Sequence, residues 1–159
     1  MHLSRAARRF LPKDVVIVGS ARTVIGSFSG KMAALQAPDL GAIAISDAMR
    51  RAKVTADDID YVYFGQVLQA AGGQAPARQA ALKAGLHEST DVCGVQKVCS
   101  SGLKAITCAA TDISLGIHDV IVRVNHLKLS KTSLQNQNLF NFASCFNCFR
   151  FDLVWGPTF

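Results

Sequence analysis

The chain has 159 residues, half of them apolar, with four prolines, which is enough for one domain with a buried core and too apolar for a disordered chain. Its net charge of +6 is concentrated at the ends: residues 1–13 carry +4, 14–122 carry −1 and 123–159 carry +3. The central part is therefore close to neutral, which argues against a nucleic-acid-binding face, and no apolar run reaches the roughly 18 residues of a membrane span.

Residues 1–13, MHLSRAARRFLPK, contain Arg, Ser and Ala and no acid, with apolar residues at helical spacing. That composition points to a mitochondrial presequence, with a basic frayed terminus as the alternative, and it lacks the apolar core of a secretory signal. The β-branched run 14–19, DVVIVG, predicts a buried strand. Pro38 and Asp39 open a helical stretch with Leu40, Ile43, Ala44, Ala48 and Ala52 near one face, closed by Arg50, Arg51 and Lys53. Thr55 and Asp58 stand at capping-box spacing over one short turn. Residues 61–67, YVYFGQV, predict a second strand. Pro76 and Gly85 bracket a short helix. Residues 91–98 read as a third strand, 99–116 as the longest apolar helix, and 119–124 as a fourth strand. The order β-α-β-α-β-α-β predicts an α/β fold with strands buried on both faces.

From residue 123 the character changes. Residues 125–159 hold six of the nine phenylalanines and a single acid, Asp152, with neither helical nor alternating periodicity. The expectation is a domain over 14–122 followed by an irregular tail over 123–159, whose stretch LFNFASCFNCFRF carries an aggregation hazard.

Cys99, in QKVCSSGLKAI (96–106), poses the chemical question. Placed between a strand and a helix start, it would sit where unpaired N–H groups and the positive end of the helix dipole lower a thiol pKa. Ser100, Ser101 and Gly102 leave room for a substrate, which suits a nucleophile that accepts an acyl group. The competing reading is a small buried hydrophobe, and an accessible redox-sensing thiol is a third. Cys93 and Cys108 read as core. Cys145-x-x-Cys148 has redox or zinc spacing without a second ligand pair. An odd count of five cysteines argues against a disulfide framework. His2, His87, His118 and His126 do not cluster and read as surface residues. No P-loop, G-x-G-x-x-G or G-x-S-x-G motif is present.

Three segments together resemble the thiolase family, in its acetyl-CoA acetyltransferase branch: VVIVGSARTVIGSFSG (15–30), FGQVLQAAGGQAPARQAALKAGL (64–86) and QKVCSSGLKAI (96–106). The resemblance implies that Cys99 is the nucleophile that takes an acyl group from acyl-CoA as a thioester. Condensation with a second acetyl-CoA, or thiolysis in reverse, would follow. It implies no resident cofactor and no metal, with CoA thioesters as substrates, and a layered fold of two similar halves that is usually dimeric or tetrameric. This chain resembles most of the first half, so it is expected to be a truncated family fragment with little or no turnover alone. The family's N-x-H-G-G, G-H-P and C-x-G-G-G motifs do not occur in it. Gln96 stands where the family usually has Asn and Val24 where it usually has Pro. The glycine-rich segment expected after Val122 is replaced by RVNHLKLSKTSLQNQ. The expected partners are a second copy or a full-length thiolase subunit, with the GQAPAR region near subunit contacts. The expected location is mitochondrial, with the cytoplasm as the alternative.

Overall fold

The structure, a computed structural model, describes residues 14–27, 30–70, 72–126 and 151–155. The sequence-predicted presequence at 1–13 and the Cys145-x-x-Cys148 pair lie outside them. In chain order the elements are β1 (Val16–Ala21), α1 (Ala37–Ala52), a 3-10 turn (Ala56–Asp58), β2 (Tyr61–Gln66), α2 (Pro76–Lys83), β3 (Asp91–Val95), α3 (Ser101–Ser114), β4 (Val120–His126) and β5 (Phe151–Trp155). The five strands form one sheet in the order β1-β5-β4-β2-β3. β2 runs parallel to both β3 and β4, and β5 is antiparallel to both of its neighbours.

The local rules read from the sequence operate where expected. The Asp58 carboxylate accepts the Thr55 N–H (2.7 Å) and the Thr55 hydroxyl (2.8 Å), closing the short turn. These two bonds hold the Asp58 carboxyl below its ordinary range. Both α2 and α3 end in Schellman motifs. Gly85 (φ +90°) and Gly116 (φ +70°) take the left-handed position, while Leu86 N–H reaches Ala81 O and Ile117 N–H reaches Asp112 O. Lys53 takes the same left-handed role after α1, with φ +59°. The Asp60 carboxylate accepts the N–H groups of Asp119 and Val120, which ties the start of β4 to β2.

The helices cover the sheet unequally. The larger core, including Ile45, Met49, Val62, Phe64, Ala80, Val122 and Val124, lies where α1 and α2 pack on one face. On the other face α3 covers β2 and β4 with Ala109 and Ile113 against Ile121, flanked by Tyr61 and Tyr63. Residues of β2 and β4 alternate between these two clusters, as the two-residue period of a strand demands. Buried on both faces, β2 and β4 meet the sequence expectation.

Strand β1 departs from that expectation. Val16 is 43% and Ile17 55% exposed. The reason is position: among the described residues β1 is an edge strand, α1 packs on one side of it, and β5 is its sole ladder partner. β3 forms the other edge and is likewise only partly covered.

The boundary drawn at residue 123 also shifts. β4 continues through His126, with Arg123 and Val124 buried. The tail expected to be irregular supplies β5, which fills the place between β1 and β4. Composition hid this strand because its own run, FDLVW, spans only five residues amid aperiodic sequence.

Candidate active site

Cys99 does not begin the helix itself. β3 ends at Val95, the N-cap of α3 is Ser100, and the first helical residue is Ser101. Between them runs a tight turn in which Val98 adopts φ +48°. A β-branched side chain in the left-handed region is a backbone outlier worth on the order of 1–3 kcal/mol of strain. The turn is held by Ser101, which is fully buried. Its hydroxyl donates to Val98 O (2.6 Å) and accepts from Lys97 N–H (2.9 Å). The N–H groups of Ser100 and Ser101 bond back to Lys97 O and Val98 O. One serine thus fixes the strained peptide immediately before Cys99.

Two glycines set this turn against the sheet. A Cβ on Gly102 would lie 2.6 Å from Asn125 Cβ, so the Asn125 side chain at the end of β4 occupies the space beside the first turn of α3. Glycine inside a helix normally destabilises it by about 1 kcal/mol relative to alanine, and this packing is the compensating reason. Gly65, at the end of β2, makes the equivalent close approach to Ser101. The sequence singled out Gly102. It gave no sign of Gly65, Asn125 or the Val98 conformation, although a glycine inside the aromatic run YVYFG was a usable signal of close backbone approach.

Residues 96 to 100 are all exposed, so the turn opens to solvent, in keeping with an approachable site. Cys99 is disulfide-bonded in this structure, which departs from the thiol-only expectation, and its nucleophile chemistry belongs to the reduced form. Gln96 makes long contacts, its side-chain amide N–H to Val67 O and the Val98 N–H to its oxygen, both at 3.5 Å.

The other sequence candidates lie elsewhere. Cys93 and Cys108 are free thiols, half-buried rather than core. They border an aromatic cluster on the α3 side, in which Tyr61 and Tyr63 have centroids 4.8 Å apart and Tyr63 donates to Asp112 (2.6 Å). His118 stacks on Tyr61 at 5.0 Å, and His87 meets the exposed Asp57 at 2.7 Å. Among the described residues, no group of three or more His, Cys, Asp or Glu is placed to hold a metal ion. No helix among them is long and apolar enough to cross a membrane.

The family profile described as "Thiolase, N-terminal domain" matches residues 15–146. The chain belongs to the thiolase family. Its relatives include acetyl-CoA acetyltransferase 2 of Arabidopsis thaliana, 50% identical over 121 residues, which are 76% of this chain and 30% of the relative. The mitochondrial acetyl-CoA acetyltransferase B of Xenopus laevis is 49% identical over 121 residues, 76% of this chain and 29% of its own length. A solved structure, the Acat5 thiolase from Ascaris suum in complex with coenzyme A, superposes with a TM-score of 0.70 at 34% identity, covering 71% of this chain and 30% of that one. The chain thus spans about 30% of the length of the thiolases it matches. The profile match runs past Val122 and takes in all of β4, and it contains the whole Cys99 turn.

Proposed function

We propose that this chain carries the nucleophile-bearing part of a thiolase-type acyltransferase, with Cys99 as the acyl acceptor. The observation that carries the reading is the Cys99 turn: exposed, set directly before a helix N-terminus, held by Ser101, and within the region matched to the thiolase family. In the proposed step the Cys99 thiolate attacks the carbonyl carbon of an acyl-CoA. The bond from that carbon to the CoA sulfur breaks, and CoA leaves as its thiol after taking up a proton. The acyl-enzyme then condenses with a second acetyl-CoA, or is formed in the thiolytic direction from a 3-ketoacyl-CoA. CoA thioesters are substrates in this reading, and the chemistry needs no resident cofactor.

Turnover also requires a general base and an oxyanion hole. With the family's histidine and second cysteine motifs absent from this sequence, the chain alone is expected to stop at acylation. The exposed Val16, Ile17, Leu103 and Leu115 favour association, and a second copy or a thiolase subunit is the proposed partner. Relatives include both mitochondrial and cytosolic enzymes, and the acid-free Arg-rich segment 1–13 supports the mitochondrion.

The test is incubation of the reduced protein with acetyl-CoA, and separately with acetoacetyl-CoA and CoA, beside Cys99→Ser. The expected result is an acetyl adduct on the Cys99 peptide from acetyl-CoA, absent from the variant, with no sustained thiolysis of acetoacetyl-CoA. Turnover abolished by Cys99→Ser would show that the chain builds a complete site. Reduced, folded protein that gains no adduct would overturn the nucleophile assignment for this chain.

A further inference from the structure

The place between β1 and β4 is filled by a strand that, in the reduced chain, is joined to the rest of the sheet through residues 127–150. Every ladder contact of β1 is made with β5, from Val16↔Trp155 to Ala21↔Phe151. β4 uses one edge for β2 and the other for β5, from Val120↔Trp155 to Arg123↔Asp152. Without β5 the sheet would present two facing edges of unpaired N–H and C=O groups, a template for any extended chain of suitable sequence.

The strand enters at the end of the sheet where β4 leaves, which is hairpin topology. Hairpin connections usually take two to five residues, whereas here about 24 intervene. A short connection would force the strand into its own slot. A connection of this length supplies only an effective concentration on the order of millimolar. The slot itself cannot distinguish the strand of its own chain from that of another, since all ladder partners are the same.

The slot nevertheless selects for this sequence. Arg123 is 3% exposed on β4, and a buried guanidinium is stable only with compensating polar or charged neighbours. Asp152 is the single acid among residues 120–159, and it stands at the register position opposite Arg123. An unrelated apolar strand has no acid at that register position.

We propose that the β1–β4 slot is a strand-acceptor site for a second copy of this chain, so that segments Phe151–Trp155 are exchanged reciprocally between two protomers. The pairing of Val16 with Trp155 joins distant parts of the sequence, so β5 closes late and the slot stands open during folding. Below the effective concentration of the tether the chain fills its own slot. Above it the second copy competes, and the exchanged dimer persists because separation must open two ladders in each half. This inference is independent of the chemistry at Cys99.

The test mixes two single variants, Ile17→Cys and Val154→Cys, whose positions are ladder partners. The pair is denatured together and refolded under reductant at about 10 µM, far below the tether's effective concentration, and at about 1 mM, comparable to it. After oxidation, peptide mapping seeks the 17–154 disulfide, which in this mixture can form only between chains. The expected result is a link that rises several-fold at the higher concentration and co-elutes with dimer. Val16→Cys with Trp155→Cys repeats the measurement at a second rung. The double variant Ile17→Cys/Val154→Cys on one chain should link intramolecularly at the lower concentration. An intramolecular link in the double variant with no trans link at either concentration overturns the proposal, as does the absence of both. A trans link that persists when Leu153→Pro is added to the Val154→Cys chain also overturns it, because proline removes the ladder and leaves only non-specific association.

Discussion

Gly65 and Ser101 meet backbone to backbone: a Cβ on Gly65 would lie 2.8 Å from the Ser101 carbonyl carbon and 2.9 Å from the Gly102 nitrogen. The obstacle is main chain rather than the end of a flexible side chain, so β2 and the start of α3 would have to separate. Gly65→Ala is therefore expected to destabilise the fold by about 2–3 kcal/mol and to slow alkylation of reduced Cys99. Gly85→Ala is the comparison. Nothing lies within 4 Å of its Cβ position, but φ is +90°, so an expected loss of about 1–2 kcal/mol comes from backbone strain alone. Alkylation of Cys99 should be unchanged there. Denaturant melts with alkylation rates separate the two effects.

Ser101 and Val98 act on the Cys99 turn in opposite senses. Ser101→Ala removes the acceptor for the Lys97 N–H and the donor to Val98 O at a fully buried position, which should lower stability by about 1–3 kcal/mol. Val98→Gly relieves the positive φ and is expected to be neutral or slightly stabilising, since the relief offsets the added freedom of the unfolded chain. Both should reduce the yield of acyl adduct at Cys99 by loosening the turn. A drop in adduct with undiminished stability in Val98→Gly would separate positioning from folding.

Tyr63 gives the fold an alkaline limit. Burial, followed by the hydrogen bond to Asp112 and its negative charge, raises the Tyr63 pKa well above the ordinary tyrosine value of 10.0, and Tyr61 is raised as well, chiefly by burial. A raised folded pKa means that the native state holds its proton where the unfolded chain has lost it. The associated stability is complete below about pH 10 and is lost as pH climbs from there toward the folded value. Tyr63→Phe should lower stability at neutral pH by about 1 kcal/mol through the lost hydrogen bond. It should also flatten part of the decline above pH 10, leaving the share due to Tyr61. Urea midpoints between pH 8 and 11 would show it.

Periodic and punctuated stretches disclosed most of the fold. The aliphatic and aromatic runs at β2 and β4, Pro76 and Gly85 around α2, and the Thr55–Asp58 box each carry a local signal strong enough to survive tertiary context. The exposure of β1 was not legible, because its apolar run has the composition of a buried strand and only the sheet order makes it an edge. β5 was hidden for a related reason: its β1 partner lies more than a hundred residues away and its β4 partner about 30, and nothing local encodes either pairing. At the candidate site, Cys99 stood out by its small neighbours and by family resemblance. The contacts that shape its turn, Gly65 to Ser101 and Gly102 to Asn125, join separate elements and became visible only with the strands and helix in place.

The pairing of β1 with β5 also has a temporal meaning. On the ribosome β1 emerges roughly 130 residues before β5, its ladder partner among the described residues. At roughly 5–20 residues per second the interval is on the order of ten seconds. Throughout it the apolar run Val15 to Val18 has no strand beside it, while the parallel trio of β2, β3 and β4 can already assemble beneath α3. The nascent chain therefore carries an unpaired apolar edge until residues 151–155 emerge, in the form best suited to capture by a chaperone.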